Sequence, residues 1–291
     1  MWTTLARAGF DTETTGVDVF NDRLVTAAIV IHDADGEQRY TWLADPGVEI
    51  PQAAAAVHGI TTERAQAEGR PIVEVLDEVA SILARHMAGG NPVVAYNAAY
   101  DFTLLETELA RHGLATLCDR LGGDIYPVID PYFLDRHVDR YRRGKRRLEN
   151  LAEHYGVMAE TFHDAEGDVL MTLRVLDKIL ERYPDVAKAP IDVVINDQRA
   201  AYEEFTNFMS RKYPRKAGEP HGWPLSRLPD PEPEVRDTLF WAEGTSRVSR
   251  YLNQFLITVN SVLGDDGRRQ VPTNGMSVGS AQLTAAHARW S

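Results

Sequence analysis

Two carboxylates near the start of the chain stand one residue apart, in the segment 10–16 with sequence FDTETTG. On a strand, side chains alternate between faces, so Asp11 and Glu13 are expected to point the same way. Two anions on one face repel each other and raise each other's pKa unless a cation lies between them. A hard divalent metal prefers carboxylate oxygen, so the pair predicts a metal site. About six such acid pairs are expected from composition alone, which leaves a solvated surface pair as the alternative.

A second candidate segment, residues 93–102, combines an apolar run with a polar end. The run predicts a buried strand, after which Asn97 can cap a helix that begins around Ala98. Asp101 then falls in the first turns of this helix. The alternative for Asp101 is an acid that only interacts favourably with the helix dipole.

A third segment contains His163 and Asp168, five residues apart. At 3.6 residues per turn they would not share a helix face. We therefore expect His163 in the preceding loop or at the helix cap, with Asp168 on the first exposed turn, so that both reach one point. A surface histidine followed by a first-turn acid is the alternative.

Taken together, the three segments resemble the DnaQ-like (DEDDh) family of 3′→5′ exonucleases, similar to the proofreading subunit of bacterial DNA polymerase III. The first motif corresponds to Asp11 and Glu13, the second to Asn97 with Asp101, and the third to His163 with Asp168. The segment 57–61, VHGIT, resembles a stretch of those proofreading subunits between the first two motifs. The resemblance covers roughly residues 7–182, and four matches in order are far more specific than one.

This resemblance implies a site in which four carboxylates hold two Mg²⁺ ions, with Mn²⁺ able to substitute. The implied metal ligands are Asp11, Glu13, Asp101 and Asp168. Two metals about 3.5–4 Å apart stabilise both the attacking and the leaving oxygen of a phosphodiester. His163 would act as general base on the attacking water, a role that suits an ordinary pKa near about 6.5.

The resemblance also nominates residues that bind the substrate. Near the terminal nucleotide, the turn after the first motif contributes Thr14, Thr15 and Gly16. Three further candidate side chains are His58, Asn97 and Phe102. For Phe102, core packing with partial exposure to the site is the favoured interpretation. The stretch 140–147, RYRRGKRR, has six basic residues in eight and predicts phosphate contacts. Its candidate residues are Arg142, Arg143, Lys145 and Arg146, and a solvated surface turn is the alternative.

The overall charge of −12 does not favour nucleic acid, but it is unevenly distributed. Residues 1–190 carry 19 basic and 31 acidic residues, whereas residues 191–291 carry 12 of each. The acidity therefore lies in the segment that would hold the metals, which would offset part of it. No apolar run approaches the length of about 18 residues that a membrane span needs, so no membrane partner is expected. A single cysteine, Cys118, cannot form an internal disulfide and suits a cytoplasmic location.

The pattern of elements predicts an α/β fold, and the resemblance implies a ribonuclease H-like mixed sheet of five strands flanked by helices. A hairpin is expected within residues 23–43, helices are expected to begin at Pro51 and Pro71, and Asp130 is expected to cap a helix rather than to act in catalysis. The predicted organisation is an exonuclease domain at 1–188 followed by a helical extension at 189–213. A Pro-rich linker at 214–234, a helical C-terminal segment at 235–263 and a flexible tail at 264–291 come after it.

The predicted function is a metal-dependent phosphodiester hydrolase that removes nucleotides from the 3′ end of DNA, with single-stranded ends preferred. RNA stays open as a substrate, because a contact to the 2′-OH cannot be read from the sequence. The alternative is a nucleic-acid-binding or replication-assembly protein that uses the fold as a scaffold. Residues 190–263 could bind a polymerase or another replication protein, or could pack back on the domain.

Overall fold

A mixed six-stranded sheet organises the described part of the chain, which in this computed structural model comprises residues 1–34, 36–158, 164–213 and 221–227. The strand order is β4-β3-β2-β1-β5-β6. β1, β2 and β3 pair antiparallel, whereas β5 pairs parallel to β1 and β6 pairs parallel to β5. The strands are β1 Arg7–Thr14, β2 Leu24–Asp33, β3 Gly36–Asp45, β4 Arg70–Pro71, β5 Val93–Val94 and β6 Val128–Ile129.

The α/β class and the ribonuclease H-like arrangement are confirmed, with one strand more than predicted. The additional strand is β4, a two-residue edge strand that pairs parallel to β3. The hairpin is also confirmed, since β2 and β3 remain paired as far as Asp33 opposite Gly36. β1 continues to Thr14, so the whole first motif lies on the strand.

Helices flank the sheet, and none in the described ranges is long and apolar enough to cross a membrane. α8 packs on β1 and β2, and α3 packs on α4 and α5. Pro51 and Pro71 precede their helices as N-caps instead of occupying the first helical position. A short 3₁₀ helix spans Trp2–Thr4. The α-helices are α1 Gln52–His58, α2 Thr62–Glu68, α3 Ile72–Ala88, α4 Ala99–Arg111, α5 Leu117–Leu121, α6 Pro131–Val138, α7 Leu148–Tyr155, α8 Ala165–Arg182, α9 Pro184–Lys188 and α10 Ile191–Lys212.

The close approach of α8 to β1 depends on Gly9. A Cβ at this position would stand 2.5 Å from Cγ1 of Val169 and 3.0 Å from Cδ1 of Leu173. Only a residue without a side chain leaves room for these two apolar residues of α8. Because Asp168 precedes Val169 and Asp11 lies two residues after Gly9, this contact brings two of the predicted ligands together.

The predicted helical extension is present as α10, and it packs against the sheet side of the domain. Val194, Ile195 and Ala201 are buried in the main apolar core. The prediction of an extended linker does not hold for residues 221–227, because Trp223 is only 6% exposed and joins the same core. The predicted helical segment 235–263 and the tail 264–291 lie outside the described residues.

We expect Gly9→Ala to lower the free energy of unfolding by about 1–3 kcal/mol, because overpacking forces α8 away from β1. Urea unfolding followed by circular dichroism measures this loss. Gly123→Ala is the matched control, since a Cβ there meets nothing within 4 Å. Equal unfolding midpoints for the two variants would contradict the steric argument.

Candidate active site

Three carboxylates converge at the centre of the sheet. Asp11 and Glu13 are both partly exposed on β1 while the residues that alternate with them are buried, as the strand pattern predicts. Asp168, in the first turn of α8, joins them. One carboxylate oxygen from each residue can be chosen so that all three lie within 4.8 Å of one another. A set of hard oxygen donors on rigid elements fits a divalent ion such as Mg²⁺ or Mn²⁺.

The fourth predicted ligand, Asp101, lies beside this group but is more deeply buried. Its side chain, in the first turn of α4, is held by the Thr12 hydroxyl, which donates to Oδ1 at 2.7 Å. The charge of Asp101 raises the pKa of both Asp11 and Glu13. Asp101 is therefore part of the same electrostatic cluster, although it is outside the three-residue group.

Burial and mutual repulsion raise the pKa of the clustered carboxylates. Burial contributes most at Asp11, followed by Asp101 and Asp168, and the pKa of Asp11 rises well above its ordinary value. The pKa of Glu13 rises to about 7, through burial and then through Asp168 and Asp101. Burial also raises the pKa of Asp101 to about 7, against the lowering effect of the Thr12 hydrogen bond. A bound cation would remove this penalty by favouring the ionised forms.

The turn after the first motif is stabilised from within. The Thr15 hydroxyl donates to Oδ1 of Asp22 at 2.9 Å. A Cβ at Gly16 would stand 2.5 Å from Oδ2 of Asp22, so a larger residue there would displace the Asp22 carboxylate. The Tyr100 hydroxyl donates to the Gly16 carbonyl at 2.6 Å and lies 2.6 Å from Oγ1 of Thr14. Sequence reasoning missed Tyr100, whose only signal is its position directly before Asp101.

His58 ends α1 beside this turn. Its Nδ1 accepts from the Ile60 amide at 3.2 Å. Burial lowers the pKa of His58, and the nearby Thr14 carbonyl partly opposes this. Its Nε2 is buried without a hydrogen bond of normal geometry among the described residues. Burial therefore favours the neutral form of the ring, which lies next to the first motif.

Two of the predictions for the second motif are wrong. Asn97 does not cap α4, since the N-cap is Ala98 and no side chain caps the helix. The Asn97 backbone is left-handed, with φ of 59°, and its side chain is exposed. Phe102 has no exposure to the site, because it is fully buried with its ring centroid 5.6 Å from that of Phe10.

The basic loop divides into inward and outward residues. Arg146 is buried and forms an ion pair with the fully buried carboxylate of Asp135, which Arg142 also contacts at 3.3 Å. Phosphate contact is therefore wrong for Arg146, and Arg142 is largely withdrawn as well. Arg143 and Lys145 remain exposed. Repulsion among the basic residues of this run indicated that some of them needed an acidic partner. The sequence did not indicate that Asp135 is that partner.

The predicted base, His163, lies outside the described residues. The next residue, Asp164, caps α8 by accepting from the amides of Glu166 and Gly167 at 3.1 and 3.4 Å. Its charge also raises the pKa of Asp11 and Glu13.

The RNase_T exonuclease family model matches residues 8–176, which is more than half of the chain and includes every predicted ligand. The chain belongs to this exonuclease family. Among its exonuclease relatives, the PolC-type DNA polymerase III of Streptococcus thermophilus is 30% identical over 169 residues, which are 57% of this chain and 10% of that protein. The epsilon subunit of DNA polymerase III from Treponema pallidum is 28% identical over 62% of this chain and 78% of the subunit. The chain therefore spans about a tenth of the PolC-type relatives it matches.

Solved exonucleases share the fold. Exonuclease I of Methylocaldum szegediense has a TM-score of 0.52 at 23% identity, over 62% of this chain and 41% of that one. Exonuclease I of E. coli, solved in complex with a dT13 oligonucleotide, has a TM-score of 0.54 at 18% identity, over 63% and 43% of the two chains. Together with the acidic cluster, the family membership supports a nuclease that uses a divalent metal.

We expect the stability of the metal-free protein to fall as the pH rises through about 7. The raised pKa of Glu13 means that the folded state binds protons more tightly than the unfolded state, whose glutamate pKa is about 4.3. This contribution is fully present below the unfolded value and is lost as the pH rises through the folded one. Glu13→Gln should therefore raise the stability near pH 8 by roughly 1–2 kcal/mol, with the figure reduced for solvent screening, and should change it little near pH 5.

Thermal unfolding in EDTA across this pH range measures the difference. Millimolar Mg²⁺ or Mn²⁺ should raise the melting temperature of the wild type more near pH 8 than near pH 5, and less in Glu13→Gln. Glu49→Gln, at an exposed position outside the cluster, is the matched control. If the stabilities of Glu13→Gln and Glu49→Gln varied with pH in the same way, repulsion among the carboxylates would not be the cause of the pH dependence.

We expect Arg146→Ala to destabilise the fold by roughly 3–5 kcal/mol, because it leaves the buried charge of Asp135 without its closest cation. Arg143→Ala should stay within about 0.5 kcal/mol of the wild type, since that side chain is exposed. Urea unfolding of both variants checks this difference between neighbouring arginines. Similar losses would show that the division into inward and outward residues is incorrect.

Proposed function

We propose that this protein is a 3′→5′ exonuclease that removes nucleotides from the 3′ end of DNA by metal-dependent hydrolysis, with a preference for single-stranded ends. The observation that carries the proposal is the convergence of Asp11, Glu13 and Asp168 within 4.8 Å. The dT13 complex among the structures of shared fold supports the single-stranded DNA substrate, and the polarity is taken from the resemblance to the DnaQ-like family.

The four carboxylates would hold two divalent ions, with Asp11, Glu13 and Asp168 at the centre and Asp101 beside them. Mg²⁺ suits such a site because it takes few protein ligands and keeps waters that substrate phosphate can replace, and Mn²⁺ would substitute. When bound, such a pair of ions would supply charge stabilisation for both the attacking and the leaving oxygen. The protein's own contribution is to hold the acids on β1, α4 and α8 without further rearrangement.

In the proposed reaction, a water oxygen attacks the terminal phosphorus and His163 accepts the water proton. The bond between phosphorus and the 3′ oxygen of the preceding nucleotide breaks, and that oxygen takes up a proton from solvent as it leaves with the shortened strand. The products are a nucleoside 5′-monophosphate and a strand with a new 3′-hydroxyl. Proton transfer to a positioned histidine typically contributes about 10²–10⁴-fold to the rate.

Substrate binding would use the surfaces next to the first motif. The turn at Thr14, Thr15 and Gly16 would lie against the terminal nucleotide, with His58 beside it. Because the threonine hydroxyls are used within the turn, backbone groups are its remaining contacts. Farther along the strand, exposed Arg143 and Lys145 would neutralise phosphates without reading sequence. The same contacts suit RNA, so both substrates belong in the test.

A role beside a replicative polymerase is the biological setting that the relatives support. We propose that partner contact through residues 190–263 uses surfaces other than the buried face of α10, which the domain itself covers. On the described part of this segment, Phe208 and Tyr213 are large hydrophobic side chains that are each 60% exposed.

The deciding experiment uses a 5′-labelled single-stranded DNA oligonucleotide with Mg²⁺ or Mn²⁺. The wild type should produce a ladder that shortens from the 3′ end and disappears in EDTA. Asp11→Ala should abolish it, and His163→Ala should slow it by at least about a hundredfold through loss of the base. Glu49→Gln should digest normally.

The matching RNA oligonucleotide is tested in parallel. Digestion of RNA in preference to DNA would replace the proposed substrate. If a folded protein saturated with metal cleaves neither, the exonuclease proposal fails and a binding or assembly role becomes the better interpretation.

A further inference from the structure

The carboxylate of Asp130 joins three parts of the chain at one buried point. Asp130 is fully buried at the end of β6 and accepts four N–H groups. Two are the backbone amides of Asn97 and Ala98, both at 3.0 Å, which form the turn into α4. A third is the Tyr132 amide at 3.0 Å, so the predicted capping role of Asp130 at α6 is confirmed. The fourth is the indole Nε1–H of Trp223 at 3.1 Å.

Two of the groups around Asp130 come from beyond residue 176, where the family match ends. Trp223 belongs to residues 221–227, and Gln198 belongs to α10. Oε1 of Gln198 accepts the backbone amide of Asp130 at 2.6 Å, and its Nε2 donates to the Val128 carbonyl at 3.4 Å. Gln198 is itself fully buried. The C-terminal part of the described chain therefore holds both the side chain and the backbone of Asp130.

Residues 221–227 also contact α4 directly. The Ser226 amide donates to Oγ1 of Thr103 at 2.9 Å, and Thr103 lies two residues after Asp101. The segment is closed by a backbone bridge between His221 and Arg227, with hydrogen bonds of 2.9 and 2.8 Å. The Gly222 amide donates to the Tyr202 hydroxyl at 2.6 Å, which ties the segment to α10.

We propose that α10 and residues 221–227 form a clamp that positions Asp101 through Asp130. The backbone of Asn97 has φ of 59°, a conformation that non-glycine residues keep only where the surroundings over-determine it. The hydrogen bonds that the Asn97 and Ala98 amides donate to Asp130 supply that constraint at the turn from which α4 begins. The clamp in turn fixes Asp130. If the buried carboxylate lost one of its donors, the unsatisfied oxygen would cost free energy and the side chain would shift. Trp223 and Gln198 are thus positioning residues, and their catalytic consequence rests on the proposed function.

Trp223→Phe tests the clamp, because it removes the N–H donor and keeps an aromatic ring in the core. The matched control is Trp2→Phe, since Trp2 is also buried and its Nε1 has no hydrogen-bond partner in the described part of the chain. Three quantities are measured on the full chain: Mn²⁺ affinity by calorimetry, hydrogen exchange of the Asn97 and Ala98 amides, and the kinetics of oligonucleotide cleavage. Thermal unfolding accompanies each variant.

We expect Trp223→Phe to weaken Mn²⁺ binding by about three- to tenfold, which is less than the roughly 10–100-fold typical of direct partners of metal ligands. The amides of Asn97 and Ala98 should exchange several-fold faster. The value of kcat should fall with KM for the oligonucleotide unchanged, since Asp101 acts on the reacting phosphate rather than on the rest of the strand. Trp2→Phe should match the wild type in all three.

Unchanged Mn²⁺ affinity and exchange in Trp223→Phe would overturn the proposal, as would equal changes in the two variants, which would indicate general loosening. If Trp223→Phe does not fold, Thr103→Val carries the test, because it removes the hydrogen bond between Ser226 and α4. If the wild type cleaves no oligonucleotide, the proposed function fails. The metal affinity and the exchange rates then still decide whether the clamp positions Asp101.

Discussion

Repulsion among clustered carboxylates is the interaction around which this domain is built. Three acids within 4.8 Å, with Asp101 buried next to them, oppose folding in the absence of a cation. The apolar core supplies the opposing force, through contacts such as those of Val169 and Leu173 against the backbone of Gly9. The favourable free energy of core packing thus offsets the unfavourable repulsion among these carboxylates. A cation can then bind without any prior rearrangement of the protein.

Each acid of this cluster is presented by a regular element rather than by a loop. A central strand and two helices fix their backbone positions, and hydrogen bonds such as the one from Thr12 to Asp101 orient the side chains. Sites on such elements are held more precisely than sites on loops. Segments outside the family match reach the same buried residue, since Gln198 of α10 accepts the backbone amide of Asp130 and Trp223 donates to its carboxylate.

The sequence was sufficient for those features that depend on local spacing. Alternation on β1 predicted the shared face of Asp11 and Glu13, and the Asp-Pro pair predicted the capping role of Asp130. It was insufficient wherever a distant residue decides the outcome. Burial of Arg146 depends on Asp135, the conformation of Asn97 depends on Asp130, and the packing of Trp223 depends on the same carboxylate. These pairings join residues far apart in the chain, and no local pattern encodes them.

The central place of β1 in the sheet has a consequence for how this chain can change in length. β1 is bonded to β2 along its whole length and to β5 at Ala8 and Gly9, so its register is held from both sides. Gaining or losing one residue within it would turn Asp11 and Glu13 to the opposite face and bring out the buried row of Phe10, Thr12 and Thr14. The number of residues in β1 is therefore constrained, whereas the hairpin that joins β2 to β3 can lengthen without moving any of the predicted ligands.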